Sequence, residues 1–318
     1  MLYPIHGRRT AAILLSIALS LPLTACSANS TPDQTAVSSG SAASSSASSA
    51  VSSQAESSSP VQKPDQSAAG GSASSSEVPA PDLPAYDFSQ PAPEREAVDN
   101  SYFEDAAFIG DSRTDGFLIY SGIGCGKNLT SNGLSIFKLA EKKALTINGT
   151  QYTLLEALAL EQYGKVYLSL GINELGYYDD EGFYRSYCEA IDAIREIQPN
   201  AVIYIQGLIP VNETVIAQTG GRTYLTNEHL RVYNDLMRQA AQEKQVVFLD
   251  LYSEFVNENG ELPAEASKDG VHLRSDWCKQ WLAYLQTHTV DYDALYPGGA
   301  PAPQEPAPEI SEIGSASS

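Results

Sequence analysis

Between residues 97 and 296 the chain alternates short apolar runs with longer stretches in which apolar residues recur every three or four positions. The runs at 106–109, 166–170, 201–208 and 246–251 have the length and composition of strands buried on both faces. A shorter extended piece is expected around 129–134, after a loop carrying Gly122, Gly124 and Gly126. Residues 144–152 read as a small hairpin, because Asn148-Gly149 is a tight-turn signal. Helical periodicity covers 112–120, 153–163, 181–197, 227–244 and 275–287. Tyr184, Tyr187, Ala190, Ile191 and Ile194 share one face of the third of these, and Trp277, Trp281 and Leu285 one face of the last. Strands separated by helices imply a parallel sheet covered on both sides. The expected class is therefore α/β: a three-layer α/β/α, flavodoxin-like sandwich of about five strands. Such a fold hosts many chemistries, so function has to come from the site.

The flanks carry no such pattern. Arg8 and Arg9 precede an apolar stretch, 11–21, that is too short for a bilayer core of about 30 Å, which takes roughly 20 residues. A charged start, a short apolar core and small residues before a cut describe a secretory signal, 1–25. Leu23-Thr24-Ala25-Cys26 resembles a bacterial lipobox, which implies diacylglycerol transfer to the Cys26 thiol and cleavage before it. Anchoring by two or more acyl chains is stable where one is not. Residues 26–95 follow, mostly Ser, Ala, Pro, Gly and Gln, too polar to offset ordering entropy. They read as a tether with an r.m.s. span of roughly 45 Å. The tail, 298–318, is similar in composition. This leaves 96–297 as one folded domain, on the extracytoplasmic face of a bacterial membrane and held there through Cys26.

A formal charge of −20 and a pI near 4.4 argue against nucleic acid and, more weakly, against polyanionic substrates. Cys125, Cys188 and Cys278 fit no zinc spacing. They could be three buried thiols, or one disulfide and one free thiol.

Candidate chemistry falls where apolar runs end. The first run stops at Gly110, and Asp111-Ser112 follows at the expected helix N-terminus. Ligands of open parallel sheets bind at the carboxyl ends of strands, where free N–H groups and the helix dipole favour developing negative charge. Asp and Ser are also ordinary N-caps. Gly171-Ile172-Asn173-Glu174 follows the 166–170 run, where Asn173 could offer amide hydrogens or simply close a turn. Asp269-Gly270-Val271-His272 precedes the last helix, an acid and an imidazole that can share one turn. At Asn132-Gly133 a glycine would allow a backbone N–H close to a ligand.

Together these blocks resemble the SGNH/GDSL hydrolase family. Gly110-Asp111-Ser112 with Gly116 matches its first block, Gly133 is the candidate for the second, Gly171-Ile172-Asn173 matches the third, and Asp269 with His272 the last. Glu174 stands where the family's pattern has Asp. The resemblance implies a serine esterase in which Ser112 attacks an ester carbonyl, His272 transfers the proton and Asp269 orients the imidazole. It also implies an oxyanion hole of the Ser112 and Gly133 N–H groups and the Asn173 amide, with no metal and no cofactor.

The substrate is expected to be an O-acyl ester, with acetyl the favoured group, on a cell-surface carbohydrate. Eighteen Tyr against eight Phe suit sugar stacking, and Arg113 and Tyr177 are candidate substrate-binding residues. A short-chain lipid or lysophospholipid acylhydrolase, or a surface binding module without turnover, are the alternatives. The sequence leaves the oligomeric state open.

Overall fold

The computed structural model describes residues 85–302. The signal segment, Cys26, the tether up to 84 and the tail from 303 lie outside the described residues. In chain order the elements are β1 (Ala106–Gly110), α1 (Ser112–Tyr120), β2 (Lys127–Thr130), β3 (Leu145–Ile147), β4 (Thr150–Tyr152), α2 (Leu154–Leu158), β5 (Lys165–Ser169) and α3 (Asp180–Ile197). There follow β6 (Val202–Gln206), α4 (Glu213–Gln218), α5 (Asn227–Glu243), β7 (Val247–Leu249), α6 (Leu251–Phe255), α7 (Ser275–Thr287) and α8 (Tyr292–Leu295).

Five strands form one parallel sheet in the order β2-β1-β5-β6-β7. The chain steps one way from β1 to β2 and the other way from β5 through β7. The reversal falls between β1 and β5, which pair along their full length from Ala106 opposite Lys165 to Gly110 opposite Ser169. A crevice at the carboxyl ends of two such strands is where this topology binds ligands.

Both faces of the sheet are covered, which is why every residue of β1 is buried. One face turns Ile109, Leu168 and Ile205 towards α3 and α5. The other turns Phe108, Tyr167 and Tyr204 towards α1 and α7. On that second face the three rings stack across adjacent strands, at 4.9 Å and 4.5 Å between centroids, and Phe117 of α1 meets Trp281 of α7 at 4.7 Å.

The expected three-layer sandwich is present, with local differences. The helix expected over 153–163 ends at Leu158, because the Gln198 amide takes the carbonyls of Leu158 and Glu161 and redirects the chain into β5. The run 201–208 leaves the ladder after Gln206, where Asn234 bonds both the N–H and the carbonyl of Leu208. Asp250 caps α6 and stops β7 at Leu249. In the hairpin, Asn148 and Gly149 both take positive φ, as a tight two-residue turn requires. The compositional boundary at 95 lies inside the packed region: Ala92 is buried with its N–H on the Phe248 carbonyl, and Tyr86 and Phe88 pack against the aromatic face. Among the described residues Cys125, Cys188 and Cys278 are free thiols, Cys125 only half-buried.

Candidate functional site

β1 ends at Gly110 because nothing larger fits. A Cβ there would lie 2.1 Å from Thr114 Oγ1 and 3.0 Å from the Ser169 carbonyl. Asp111 then caps α1, its carboxylate accepting from the Arg113 N–H at 2.9 Å. Ser112 is the first residue of the helix and its hydroxyl is left for other work. It lies 2.8 Å from Nε2 of His272, a residue 160 positions away in the chain.

The loop before α7 is shaped to present that imidazole. Asp269 Oδ1 accepts from the N–H groups of Val271 and His272, each at 2.9 Å, while Oδ2 faces His272 Nδ1 at 2.7 Å. Gly270 between them has φ +83°, and a Cβ would come within 2.5 Å of the Asn212 carbonyl, so the turn needs glycine. Ser267 adds its hydroxyl to Asp269 Oδ1 and to the His272 carbonyl, and Leu273 bridges back to Ser267. Burial pushes the Asp269 carboxyl up, but the His272 and Val271 hydrogen bonds outweigh it and hold the group well below the usual carboxylate range. With Nδ1 against a carboxylate, the ring proton belongs on Nδ1 and Nε2 is free to accept the Ser112 proton. The Asp269 and His272 side chains remain about half exposed, 48% and 49%, so the site is open to solvent.

The structure brings the other expected residues to different fates. Ser131 donates its N–H to the Gly110 carbonyl at 3.0 Å, which lays the 131–134 turn beside the end of β1. Gly133 sits on that turn with φ +69° and open space where a Cβ would be. Gly122, Gly124 and Gly126 precede β2, at the opposite end of the parallel sheet from Ser112. Asn173 lies between the two loops, and its amide donates to Asp111 Oδ2 and to the Leu134 carbonyl, both at 3.0 Å. Tyr177 is on the rim, 65% exposed, with its ring edge against Phe137.

Arg113 is a correction. It does not face a substrate: it is buried, and its guanidinium donates to the Ile209 and Pro210 carbonyls after β6. Its helix position points it down between α1 and the sheet rather than out over the crevice. Burial lowers its pKa to about 10, opposed by the charges of Asp111 and Asp269. Asp111 is pushed up to about 6 by burial, against the Arg113 N–H and charge.

Glu174, noted in the sequence only as a departure from a pattern, is fully buried. One carboxyl oxygen accepts the Ile136 N–H, and the other, Oε2, is buried with no hydrogen-bond partner among the described residues. Ser267 was not singled out in the sequence, and Gly270 was named only as part of the Asp269–His272 block. Their signal is position: each lies within two residues of Asp269. Among the described residues no group of three or more His, Cys, Asp or Glu could hold a metal ion.

Comparison with known proteins places this geometry in context. A sequence model of the GDSL-like Lipase/Acylhydrolase family matches residues 108–276, a span holding both Ser112 and His272. Solved structures that resemble the chain include a protein named for platelet activating factor from Streptococcus pneumonia, 22% identical over 63% of this chain and 86% of that one, TM-score 0.48. A GDSL-like lipase from Bacteroides thetaiotaomicron is 14% identical over 57% and 86%, TM-score 0.42. A peptidoglycan O-acetylesterase is 19% identical over 50% of this chain and 45% of that one, TM-score 0.38. A comparison with the curated proteins gives no match.

Proposed function

Because this chain belongs to the GDSL-like lipase/acylhydrolase family, whose members hydrolyse esters, we propose that it is a serine esterase removing O-acetyl groups from a cell-surface carbohydrate. The observation that carries the chemistry is the continuous hydrogen-bond chain from Ser112 through His272 to Asp269 at the carboxyl end of β1.

In this reading Ser112 Oγ attacks the ester carbonyl as its proton passes to His272 Nε2. Asp269 stays ionised and stabilises the imidazolium. The carbonyl oxygen becomes an oxyanion facing the Ser112 and Gly133 N–H groups and the Asn173 amide. Asn173 has both amide hydrogens engaged before substrate arrives. An oxyanion competes with the neutral Leu134 carbonyl for one of them and wins, because charged acceptors bind more strongly. His272 then returns the proton to the leaving alcohol, and water, activated by the same imidazole, releases acetate.

Two features support a carbohydrate carrier. The half-exposed Asp269 and His272 leave room for an ester projecting from a large chain. Tyr177 and Tyr178, on the turn that follows Asn173, are 65% and 70% exposed, held by Phe137 and by stacking on His229 respectively. Exposed rigid tyrosines offer an apolar face and a hydroxyl to a sugar ring. The signal-like N-terminus with Cys26 supports a membrane-anchored, extracytoplasmic address, with the Ser- and Ala-rich sequence before residue 85 between anchor and domain.

The test compares the purified protein with Ser112→Ala on p-nitrophenyl acetate, p-nitrophenyl octanoate and O-acetylated peptidoglycan. Turnover of acetyl substrates by wild type alone supports the proposal. Preference for octanoate would move it to a lipid acylhydrolase, and no turnover by folded protein to a binding module.

A further inference from the structure

The turn that carries Gly133 is held to the rest of the site by two consecutive side chains. Asn173 bonds the Leu134 carbonyl, and Glu174 bonds the Ile136 N–H, the first unpaired donor of a short 3-10 turn, Ile136–Lys138. Glu174 is itself fixed from behind, its carbonyl accepting from Tyr233 OH of α5 at 3.1 Å and its N–H bonding Gly171. It is a strut running from α5, through the end of β5, to the loop after β2.

The two ties are not equivalent during reaction. When an oxyanion takes the Asn173 hydrogen that Leu134 had held, the tie through Asn173 is released just as the position of Gly133 matters most. The Glu174–Ile136 bond faces away from the oxyanion and survives. We infer that Glu174 is a positioning residue of the oxyanion hole, holding the 133–136 loop so that the Gly133 N–H stays aimed at the point that Asn173 and Ser112 also face. This rests on the esterase reading above.

The chemistry of the pocket suits a neutral acid. A carboxylate with one N–H partner and one orphaned oxygen is far costlier to bury than a neutral carboxyl group, which leaves only an unpaired O–H. Burial accordingly pushes Glu174 up to about 8, opposed by the Ile136 N–H, reinforced by the charge of Asp111 and opposed again by the nearby Ser135 hydroxyl. The titratable groups facing it are Asp111 from the β1–α1 junction, Tyr187 from α3 and Tyr233 from α5; the loop itself contributes the Ile136 N–H. Ionisation in that setting places a second negative charge beside Asp111 and strains the strut.

The experiment uses full-length wild type, Ser112→Ala, Glu174→Gln, Glu174→Asp and Glu174→Ala. Glu174→Gln keeps an acceptor for Ile136 and cannot ionise, so its kcat at pH 7 stays near wild type and the fall of wild-type kcat around pH 8 disappears. Glu174→Asp withdraws the acceptor by one C–C bond; a misplacement of this size costs about 10²-fold in kcat with KM little changed. Amide hydrogen exchange at Ile136 accelerates in Glu174→Asp and Glu174→Ala, a readout that needs no turnover. Unchanged exchange at Ile136 in these two variants overturns the inference whatever the enzyme does with esters. So does unchanged kcat in both of them, or equal loss of kcat in Glu174→Gln and Glu174→Asp. If wild type and Ser112→Ala are alike inactive, the esterase reading fails, while the exchange result still decides whether Glu174 holds the loop.

Discussion

Asn173 Nδ2 lies 3.0 Å from Asp111 Oδ2, so the acid that caps α1, the helix beginning at Ser112, also orients the amide expected to bind the oxyanion. Replacing Asn173 by Ala removes that amide together with the bond to Leu134. The expected loss is about 10²–10³ in kcat, with KM little changed. Steady-state kinetics on p-nitrophenyl acetate checks it, and a change confined to KM would count against the assignment.

Asp269→Asn tests the imidazole's orientation without disturbing the loop. The Asn oxygen can still accept from the Val271 and His272 N–H groups, while its NH₂ faces Nδ1 and forces the ring proton onto Nε2. The His272 ring then cannot accept the Ser112 proton. A fall in kcat of about 10⁴ is the expected result, with some loss of thermal stability because the ionised carboxylate's hydrogen bonds are weakened.

Arg113→Met separates the buried role from a substrate-binding one. The substitution leaves the Ile209 and Pro210 carbonyls without their donor, at a cost of about 1–3 kcal/mol. The expected outcome is a lower midpoint in urea, and KM unchanged for acetyl esters with and without a carboxylate. Lys should rescue poorly, because one ammonium does not reproduce the planar fork.

Stability should depend on pH through the two buried acids, in a direction opposite to Asp269. Asp111 and Glu174 hold protons to about 6 and about 8 in the folded chain, against roughly 4 when unfolded. The folded state therefore binds more protons in that window. Their contribution is complete below pH about 4 and is lost as pH rises through 6 for Asp111 and 8 for Glu174. Asp269 is held low, so its contribution is present above the ordinary carboxylate range and lost on acidification. Urea titrations from pH 5 to 8 should show wild type losing stability at no more than about 1.4 kcal/mol per pH unit for each acid. The Glu174→Gln decline should be shallower, and parallel curves would exclude a buried proton on Glu174.

Much of this molecule could be read from local pattern. Strand and helix types follow from short continuous apolar runs and from spacings of three to four residues, which are properties of short segments. The Asp269-His272 pair was legible for the same reason, since a carboxylate three residues before an imidazole meets it within one turn. Ser112 could be placed at a strand-to-helix junction because an apolar run and a capping acid announce it.

What a side chain faces across the fold is a different matter, because strand order supplies its neighbours. Arg113 and Tyr177 were equally plausible on a rim, yet its place on α1 buried the first beneath the loop after β6, while the turn after β5 left the second exposed. The α2 helix ended early through Gln198, a residue 40 positions beyond Leu158. The local sequence placed Asn173 and Glu174 at the end of β5, but only the juxtaposition of β1, β2 and β5 gave the amide its two acceptors and the acid its single N–H. Short-range geometry is written into consecutive residues, whereas the partner of a buried polar group exists only once distant segments are packed together.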